Sequence, residues 1–159
     1  ALDACHLRAA VLQAAQTRPF LGICLGLQAL YDFSEEGGGV QGLGVLPGRV
    51  PRFPPAAMRD AVTGQILKVP HMGWNQVQQV TAHPLWKDIP SGSRFYFVHS
   101  YYVEAGEHAD VTGVTEYGLR FTSAAARANI FAVQFHPEKS AQAGLQLLEN
   151  FMAWDGSAA

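Results

Sequence analysis

Cys24 lies between two glycines, in the segment Gly22-Ile23-Cys24-Leu25-Gly26. The apolar residues 20–23 predict a strand buried on both faces and residues 25–33 predict a helix, so Cys24 falls at the turn between them. Flanking glycines allow a sharp turn, as in a nucleophile elbow, and the first N–H groups of the helix favour a thiolate and can bind an oxyanion. A buried core cysteine is the alternative, because free cysteine is among the most buried residue types. Cys24 is therefore a candidate nucleophile that still needs a base.

A histidine and a carboxylate follow another apolar run near the end of the sequence. Residues 130–135 predict a strand, and His136 and Glu138 come directly after it, on either side of Pro137. Residues i and i+2 of an extended or turn segment project to the same side, so Glu138 can orient the imidazole of His136. An imidazole held in this way can take a thiol proton and later protonate a leaving amine. On their own these two residues are typical of a protein surface, but with Cys24 they predict a triad.

Two further motifs carry aromatic and polar side chains at predicted strand ends. The first, Pro70-His71-Met72-Gly73-Trp74-Asn75, places a methionine and a tryptophan in a turn setting. Exposed Met and Trp are typical of protein interfaces, although both could instead fill the core. The second motif is a buried strand over residues 94–98 that leads into His99-Ser100-Tyr101, and polar groups at the end of a strand are candidates for a site.

The elements that position these residues are helices and short strands. Apolar residues between positions 2 and 16 approximate a helical stripe that ends before Pro19, and Cys5 and His6 on it are expected to be packing residues. The glycines of residues 37–48 predict loops, and alternating or β-branched runs predict the strands that follow. Ser140 is predicted to cap a closing helix whose apolar face carries Leu145, Leu148, Phe151 and Met152.

Composition and charge limit the function classes. The length of 159 residues predicts a single domain, and a content of 48% hydrophobic and 15% charged residues is typical of a globular protein. A net charge of −2 without any run of Lys or Arg argues against nucleic acid or an anionic membrane as partner. The cysteines, Cys5 and Cys24, have neither Cys-x-x-Cys nor zinc-site spacing, which predicts no disulfide framework, no metal and a reducing cytoplasm. No apolar stretch approaches the roughly 18 residues that predict a membrane span.

Taken together, the motifs resemble those of the class I, triad-type glutamine amidotransferases. The resemblance rests on residues 19–28 and on Gln134-Phe135-His136-Pro137-Glu138-Lys139-Ser140, and it covers essentially the whole chain. The motifs at residues 70–75 and 95–101 are similar to those of the glutaminase subunits of imidazole glycerol phosphate synthase, from histidine biosynthesis. The resemblance implies one glutaminase domain over residues 1–159, an α/β fold with a mostly parallel central sheet flanked by helices, and no cofactor.

The resemblance also implies roles for individual residues. Cys24 is expected to attack the side-chain amide of L-glutamine, His136 to act as general acid and base, and Glu138 to orient His136. The N–H of Leu25 is expected to bind the oxyanion, and Gln28, Ser100 and Tyr101 match positions that bind glutamine.

A partner is implied as well, a (β/α)₈-barrel cyclase subunit that receives the ammonia. The positions that match its interface are Met72, Trp74, Asn75, Tyr96 and Lys139. The remaining histidines of the matched region have no catalytic counterpart, and we expect them to be structural or solvated: His71, His83, His99 and His108.

The sequence departs from the family pattern in one respect. Family members carry further strand and helix units before the first predicted helix, including a Pro-Gly segment that supplies the second oxyanion donor, and this sequence has no counterpart of them. Losing one such donor costs on the order of a hundredfold in rate, which predicts a weak glutaminase. Two alternatives follow: an amidotransferase for another synthase, of the guanylate or anthranilate type, and a catalytically impaired subunit that only binds its partner.

Overall fold

The computed structural model describes residues 7–55 and 58–157 of the chain. The predictions for Cys5 and His6 therefore lie outside the described residues. Within the described ranges, none of the helices is both long enough and apolar enough to cross a membrane. The α-helices are α1 (Arg8–Thr17), α2 (Leu25–Ala29) and α3 (Ala141–Ala153), and short 3₁₀ turns occupy residues 36–38, 84–86, 108–110 and 137–139.

The strands of the described ranges form three sheets. They are β1 (Phe20–Ile23), β2 (Phe33–Ser34), β3 (Val40–Gln41), β4 (Gly48–Val50), β5 (His71–Gln76), β6 (Gln78–Gln79), β7 (Arg94–His99), β8 (Glu104–Ala105), β9 (Val111–Glu116), β10 (Arg120–Arg127) and β11 (Ile130–Val133). The largest sheet has the order β1-β11-β10-β9-β6, the second β3-β2-β4-β8, and β5 pairs with β7. The fold is thus mixed α/β.

The prediction of a mostly parallel central sheet is wrong for the described strands. β1 pairs with β11 and β2 with β4 in parallel, whereas the other described pairings are antiparallel. The reason lies in the connections, because β9, β10 and β11 are joined by tight turns at residues 117–119 and 128–129. A tight turn reverses the chain direction, and a parallel pair needs a longer crossover.

The parallel pair of β1 and β11 positions the candidate site. Its register places Ile23 opposite Val133, and the N–H of Cys24 donates to the Val133 carbonyl at 2.8 Å. Parallel neighbours end at the same edge of a sheet. The residues that follow the two strands, Cys24 and His136, are therefore brought to one edge.

The core lies on both faces of β11, as its continuous apolar sequence predicts. Phe131 and Val133 pack in one hydrophobic cluster, with Phe95 and Phe135, whereas Ile130 and Ala132 pack in a second cluster on the opposite face. The rings of Phe95 and Phe135 are stacked with centroids 4.0 Å apart. Burial on both faces leaves β11 little freedom to shift relative to β1, which stabilises the edge that carries the site.

The closing helix α3 forms where it was predicted, but two of its details differ. Ser140 makes no capping hydrogen bond. Its hydroxyl instead donates to the His136 carbonyl and accepts from the N–H of Tyr96. The buried residues of α3 are Gly144 and Leu147, whereas the predicted face residues Leu145 and Met152 are 59% and 82% exposed.

Three neutral histidines, of which His71 and His99 are buried and His83 is half-buried, give the fold a defined pH dependence. Burial lowers the pKa of His71 to about 3, and those of His83 and His99 to about 4. An unfolded histidine has a pKa of about 6.5, so below that pH the unfolded chain binds protons that the folded chain does not. The contribution of these histidines to stability is therefore fully present above about pH 6.5 and is lost as the pH falls toward their pKa values in the folded chain.

We expect urea unfolding to reveal this loss as a free energy of unfolding that decreases between about pH 7 and about pH 5. Each of the three histidines contributes at most about 1.4 kcal/mol per pH unit to this decrease. In the variant His83→Phe the decrease should be shallower, since one of these groups is gone. A free energy of unfolding that stays constant over this range in the unsubstituted chain would contradict the prediction.

Candidate active site

Cys24 lies at a strained turn between β1 and α2. Its backbone has φ 52° and ψ −104°, a conformation that residues with a Cβ rarely adopt. The thiol is half-buried, with Sγ 3.9 Å from the Val98 carbonyl oxygen and 3.7 Å from Nε2 of Gln134. A strained strand-to-helix turn that presents a side chain at the end of a strand is the geometry of a nucleophile elbow.

The two glycines beside Cys24 are not equivalent. A Cβ built on Gly22 would lie 3.0 Å from the Cβ of Ala132 and 3.0 Å from the backbone of Gly26, whereas a Cβ on Gly26 would meet no atom within 4 Å. Gly22 is therefore required by close approach of the backbone. Gly26 has no such steric requirement, contrary to the expectation from the sequence.

This difference predicts unequal effects of two matched substitutions on stability. Gly22→Ala should destabilise the fold by about 1–3 kcal/mol, because the neighbouring strand and the elbow must shift. Gly26→Ala should change stability by no more than about 1 kcal/mol, since alanine is the better helix former and has room. Thermal unfolding of both variants measures the difference, and equal destabilisation would contradict it.

The protonation of Cys24 reflects opposing influences. Burial raises the pKa of the thiol, while the N–H of Leu25 and the side-chain amide of Gln134 lower it. The charges of Glu138 and Glu36 raise it further, and the net pKa is above the ordinary value. A thiol of this kind is protonated near neutral pH, so it needs a base before it can act as a nucleophile.

His136 has the geometry of such a base. Its Nδ1 lies 2.8 Å from Oε1 of Glu138, and its backbone N–H donates to the Tyr96 carbonyl at 2.9 Å. A carboxylate accepts, so in a neutral ring Nδ1 carries the proton and Nε2 has the free lone pair. Nε2 is buried and has no hydrogen-bond partner among the described residues. The arrangement leaves one unpaired acceptor at the edge of the sheet where Cys24 also lies.

The residues expected to contact glutamine are close to the elbow. Leu25 exposes its side chain at the first turn of α2, and Gln28 is buried one turn later. Nε2 of Gln28 donates to the Tyr101 carbonyl at 3.0 Å, which joins α2 to the segment after β7. Ser100 precedes Tyr101, and its carbonyl accepts a hydrogen bond from the N–H of Phe53.

The expected interface residues lie on β5, on β7 and in the turn after His136. Met72 and Trp74 are 61% and 45% exposed, so the alternative that both fill the core is wrong. Trp74 stands opposite Tyr96 in the β5–β7 pair, with their rings edge to face at 6.1 Å. Asn75 donates to the Glu116 carbonyl, and Lys139 is exposed.

Sequence reasoning assigned no role to three residues that the structure places near the site. Gln134 is fully buried beside Cys24, and its Oε1 accepts from Gln28 at 2.9 Å. His71 and His99 are buried and hydrogen-bonded to each other at 2.9 Å. The position of Gln134, two residues before His136 at the end of an apolar strand, was the signal that could have indicated it.

Comparison with known proteins identifies the family. The model of the class-I glutamine amidotransferase family matches residues 3–154. The chain belongs to the class I glutamine amidotransferases. Among curated relatives, the amidotransferase chain is 63% identical over 153 residues to imidazole glycerol phosphate synthase subunit HisH of Nitrosospira multiformis and 61% identical over 153 residues to that of Aromatoleum aromaticum. Each of the two matches covers 96% of this chain and 71% of the relative.

Solved structures support the fold of this amidotransferase. A glutamine amidotransferase from Thermotoga maritima superposes with a TM-score of 0.58 at 18% identity, covering 93% of this chain and 53% of the other. Another glutamine amidotransferase superposes with a TM-score of 0.61 at 15% identity, covering 95% and 71%. The prediction of a class I amidotransferase similar to the HisH subunits is confirmed.

Proposed function

We propose that this amidotransferase is the glutaminase of an imidazole glycerol phosphate synthase and hydrolyses L-glutamine to L-glutamate and ammonia in histidine biosynthesis. The observation that carries the proposal is the placement of Cys24 and the His136–Glu138 pair after neighbouring parallel strands, in a chain 63% identical to a HisH subunit. We propose that residues 1–159 act as one domain, in a reducing cytoplasm that keeps the Cys24 thiol free.

In the first half of the reaction, Nε2 of His136 takes the proton of the Cys24 thiol as Sγ attacks the side-chain amide carbon of glutamine. The carbonyl oxygen becomes an oxyanion, which accepts a hydrogen bond from the N–H of Leu25 at the start of α2. The C–N bond then breaks, the leaving nitrogen takes the proton from His136, and ammonia departs. The product is a thioester between Cys24 and the glutamyl group.

In the second half, His136 removes a proton from a water molecule that attacks the thioester carbon. The C–S bond breaks, glutamate leaves, and the sulfur regains the proton from His136. Throughout both steps Glu138 accepts a hydrogen bond from Nδ1 of His136 and stabilises the imidazolium. Its side chain is half-exposed, so its electrostatic effect is moderated by solvent.

The proposed partner is a (β/α)₈-barrel cyclase that takes up the ammonia. Exposed Met72 and Trp74 suit the centre of an interface, where methionine and aromatic side chains are enriched. The strand opposite them leads directly to the site, because the carbonyl of Tyr96 accepts the N–H of His136. Ammonia released at Cys24 would therefore emerge close to the surface that the partner covers.

This interface predicts a selective loss of affinity. We expect Trp74→Ala to weaken binding to the cyclase by about 2 kcal/mol, or roughly thirtyfold, and Met72→Ala to weaken it less. Met152→Ala is the matched control, because Met152 is 82% exposed on α3. Titration calorimetry measures the three affinities. An equal loss in the Met152 variant, or no loss in the Trp74 variant, would contradict the proposed surface.

The function is tested by glutamate release from glutamine, with the chain alone and with a cyclase and its nucleotide ligand. We expect little turnover alone and clear turnover in the complex. Equal turnover in both conditions would refute control by the partner. A complex that forms without releasing glutamate would favour the impaired, partner-binding alternative.

The choice among synthases follows from the same assay with other partners. Relatives at 61–63% identity are HisH subunits, whereas the structural neighbours at 15–18% identity support the fold alone. Turnover that rises with a guanylate or anthranilate synthase partner, and not with the cyclase, would overturn the proposed acceptor.

A further inference from the structure

A continuous chain of hydrogen bonds crosses the molecule from the exposed strand β5 to the nucleophile. Its groups, in order, are the side chains of Asn75, His71 and His99, the backbone carbonyl of Tyr101, and the side chains of Gln28, Gln134 and Cys24. The two histidines form its middle, and neither has a role in the proposed chemistry.

The outer half of the chain has a fixed direction. Nδ1 of His99 lies 2.7 Å from the Tyr101 carbonyl oxygen, which can only accept, so this nitrogen carries the proton. Nε2 of His99 is then an acceptor, and Nδ1 of His71, at 2.9 Å, must donate to it. The remaining nitrogen of His71 accepts from Nδ2 of Asn75 at 3.3 Å.

The inner half is fixed from the same carbonyl. Because the Tyr101 oxygen accepts, Gln28 must present its NH₂ group there, at 3.0 Å, and the same NH₂ group donates to Oε1 of Gln134 at 2.9 Å. Gln134 therefore has its own NH₂ group turned toward Sγ of Cys24, at 3.7 Å. This is the amide that lowers the pKa of the thiol against the effect of burial.

The histidines are held where a proton cannot easily change the direction of the bonds. The ring of His71 stacks on Tyr117 and on Phe97, with centroids 3.9 Å and 4.8 Å away. Burial lowers the pKa of both His71 and His99, so both rings are neutral at physiological pH. Phenylalanine could make the same stacking contacts, so what the histidines add is their nitrogen atoms.

We propose that His71 and His99 are positioning residues that hold the Tyr101 carbonyl where it binds the NH₂ group of Gln28 and thereby keep the Gln134 amide against Cys24. Only the expected effect on glutamine turnover rests on the proposed function. The effect on the thiol itself is independent of it.

The test is alkylation of Cys24 by iodoacetamide in the full chain without a partner, followed over pH, with the Cys24 peptide resolved from the Cys5 peptide by mass spectrometry. His99→Phe should move the midpoint upward by about one pH unit and slow alkylation near neutral pH by about tenfold. His99→Asn should restore most of the rate, because its Nδ2–H can replace the Nδ1–H toward Tyr101. His83→Phe is the control, since His83 packs against Phe131 and Trp154 and lies outside the chain of bonds.

Folding of each variant is checked by near-ultraviolet circular dichroism. A folded His99→Phe variant with an unchanged midpoint would overturn the proposal, as would an equal shift in His83→Phe. If His99→Phe does not fold, Asn75→Ala decides, because this half-buried residue holds only the outer end of the chain of bonds. The Asn75→Ala variant should shift the midpoint in the same direction and slow alkylation near neutral pH by about threefold. An unchanged midpoint would overturn the proposal.

Glutamate release by the same variants with the cyclase separates the two proposals. A shifted midpoint in a chain that never releases glutamate would support the positioning role and refute the glutaminase. Normal glutamate release by a folded His99→Phe variant with an unshifted thiol would do the opposite.

Discussion

Replacing Cys24 by alanine is expected to abolish glutamine hydrolysis, with kcat reduced on the order of ten-thousandfold or more. The reason is that the proposed thioester forms on the Cys24 sulfur, and the oxyanion and binding contacts that remain supply only a small part of the rate. The measurement is glutamate release by the chain in complex with the cyclase and its nucleotide ligand.

Two controls make the Cys24 experiment specific. Cys5→Ala removes the other cysteine of the sequence and should leave turnover unchanged. Binding of the cyclase by Cys24→Ala, measured by titration calorimetry, should match that of the unsubstituted chain, because the substitution removes only a half-buried sulfur atom and leaves the exposed side chains of Met72 and Trp74 in place. If Cys24→Ala retained a substantial part of the turnover, another residue would have to be the nucleophile.

The second large effect is expected at His136. His136→Ala should reduce kcat on the order of a thousandfold, since burial keeps the Cys24 thiol protonated near neutral pH and the variant has no base to remove that proton. The residual rate should rise with pH, as an increasing fraction of the thiol ionises without help. Initial rates of glutamate release across the pH range measure both quantities.

Glu138→Gln tests the other half of the pair. Its carboxylate is half-exposed and orients the ring without touching the reacting atoms, so we expect a smaller loss, about ten- to a hundredfold. His108→Ala is the control, because it removes an exposed histidine without a proposed role and should leave kcat unchanged. A His136→Ala variant with near-normal kcat and an unchanged pH profile would exclude His136 as the base.

The elbow could be predicted because its signals are local. The change in hydrophobic period at Cys24 and the glycine at position 22 both act within a few residues, and the structure shows the positive φ and the close approach that they imply. The His136–Glu138 contact is local for the same reason. Their catalytic roles remain predictions until the variants are measured.

The directions of the strands and the face of α3 could not be predicted in the same way. Strand direction depends on whether connections cross over or turn back, which short apolar runs do not specify. In α3 the contact is set by Gly144, where an added Cβ would fall 2.0 Å from the Pro137 carbonyl oxygen. A glycine carries no hydrophobic signal, so the larger side chains of Leu145 and Met152 suggested the wrong face.

The polar contacts around Cys24 were also beyond sequence reasoning. Gln28 and Gln134 are far apart in the sequence, and their hydrogen bond exists only because α2 packs over the end of β11. Ser140 illustrates the same limit, since a hydroxyl suited to a helix cap is used instead to connect Tyr96 with His136.

The positive φ of Cys24 creates a trade-off between activity and stability. At φ 52° a residue with a Cβ, such as Cys24, destabilises the fold relative to glycine. The proposed chemistry nevertheless needs a cysteine at this position. Selection for heat resistance alone would therefore favour Cys24→Gly and produce a sturdier, inert protein. Engineering this chain for stability therefore has to leave Cys24 unchanged and look for stabilising substitutions at other positions.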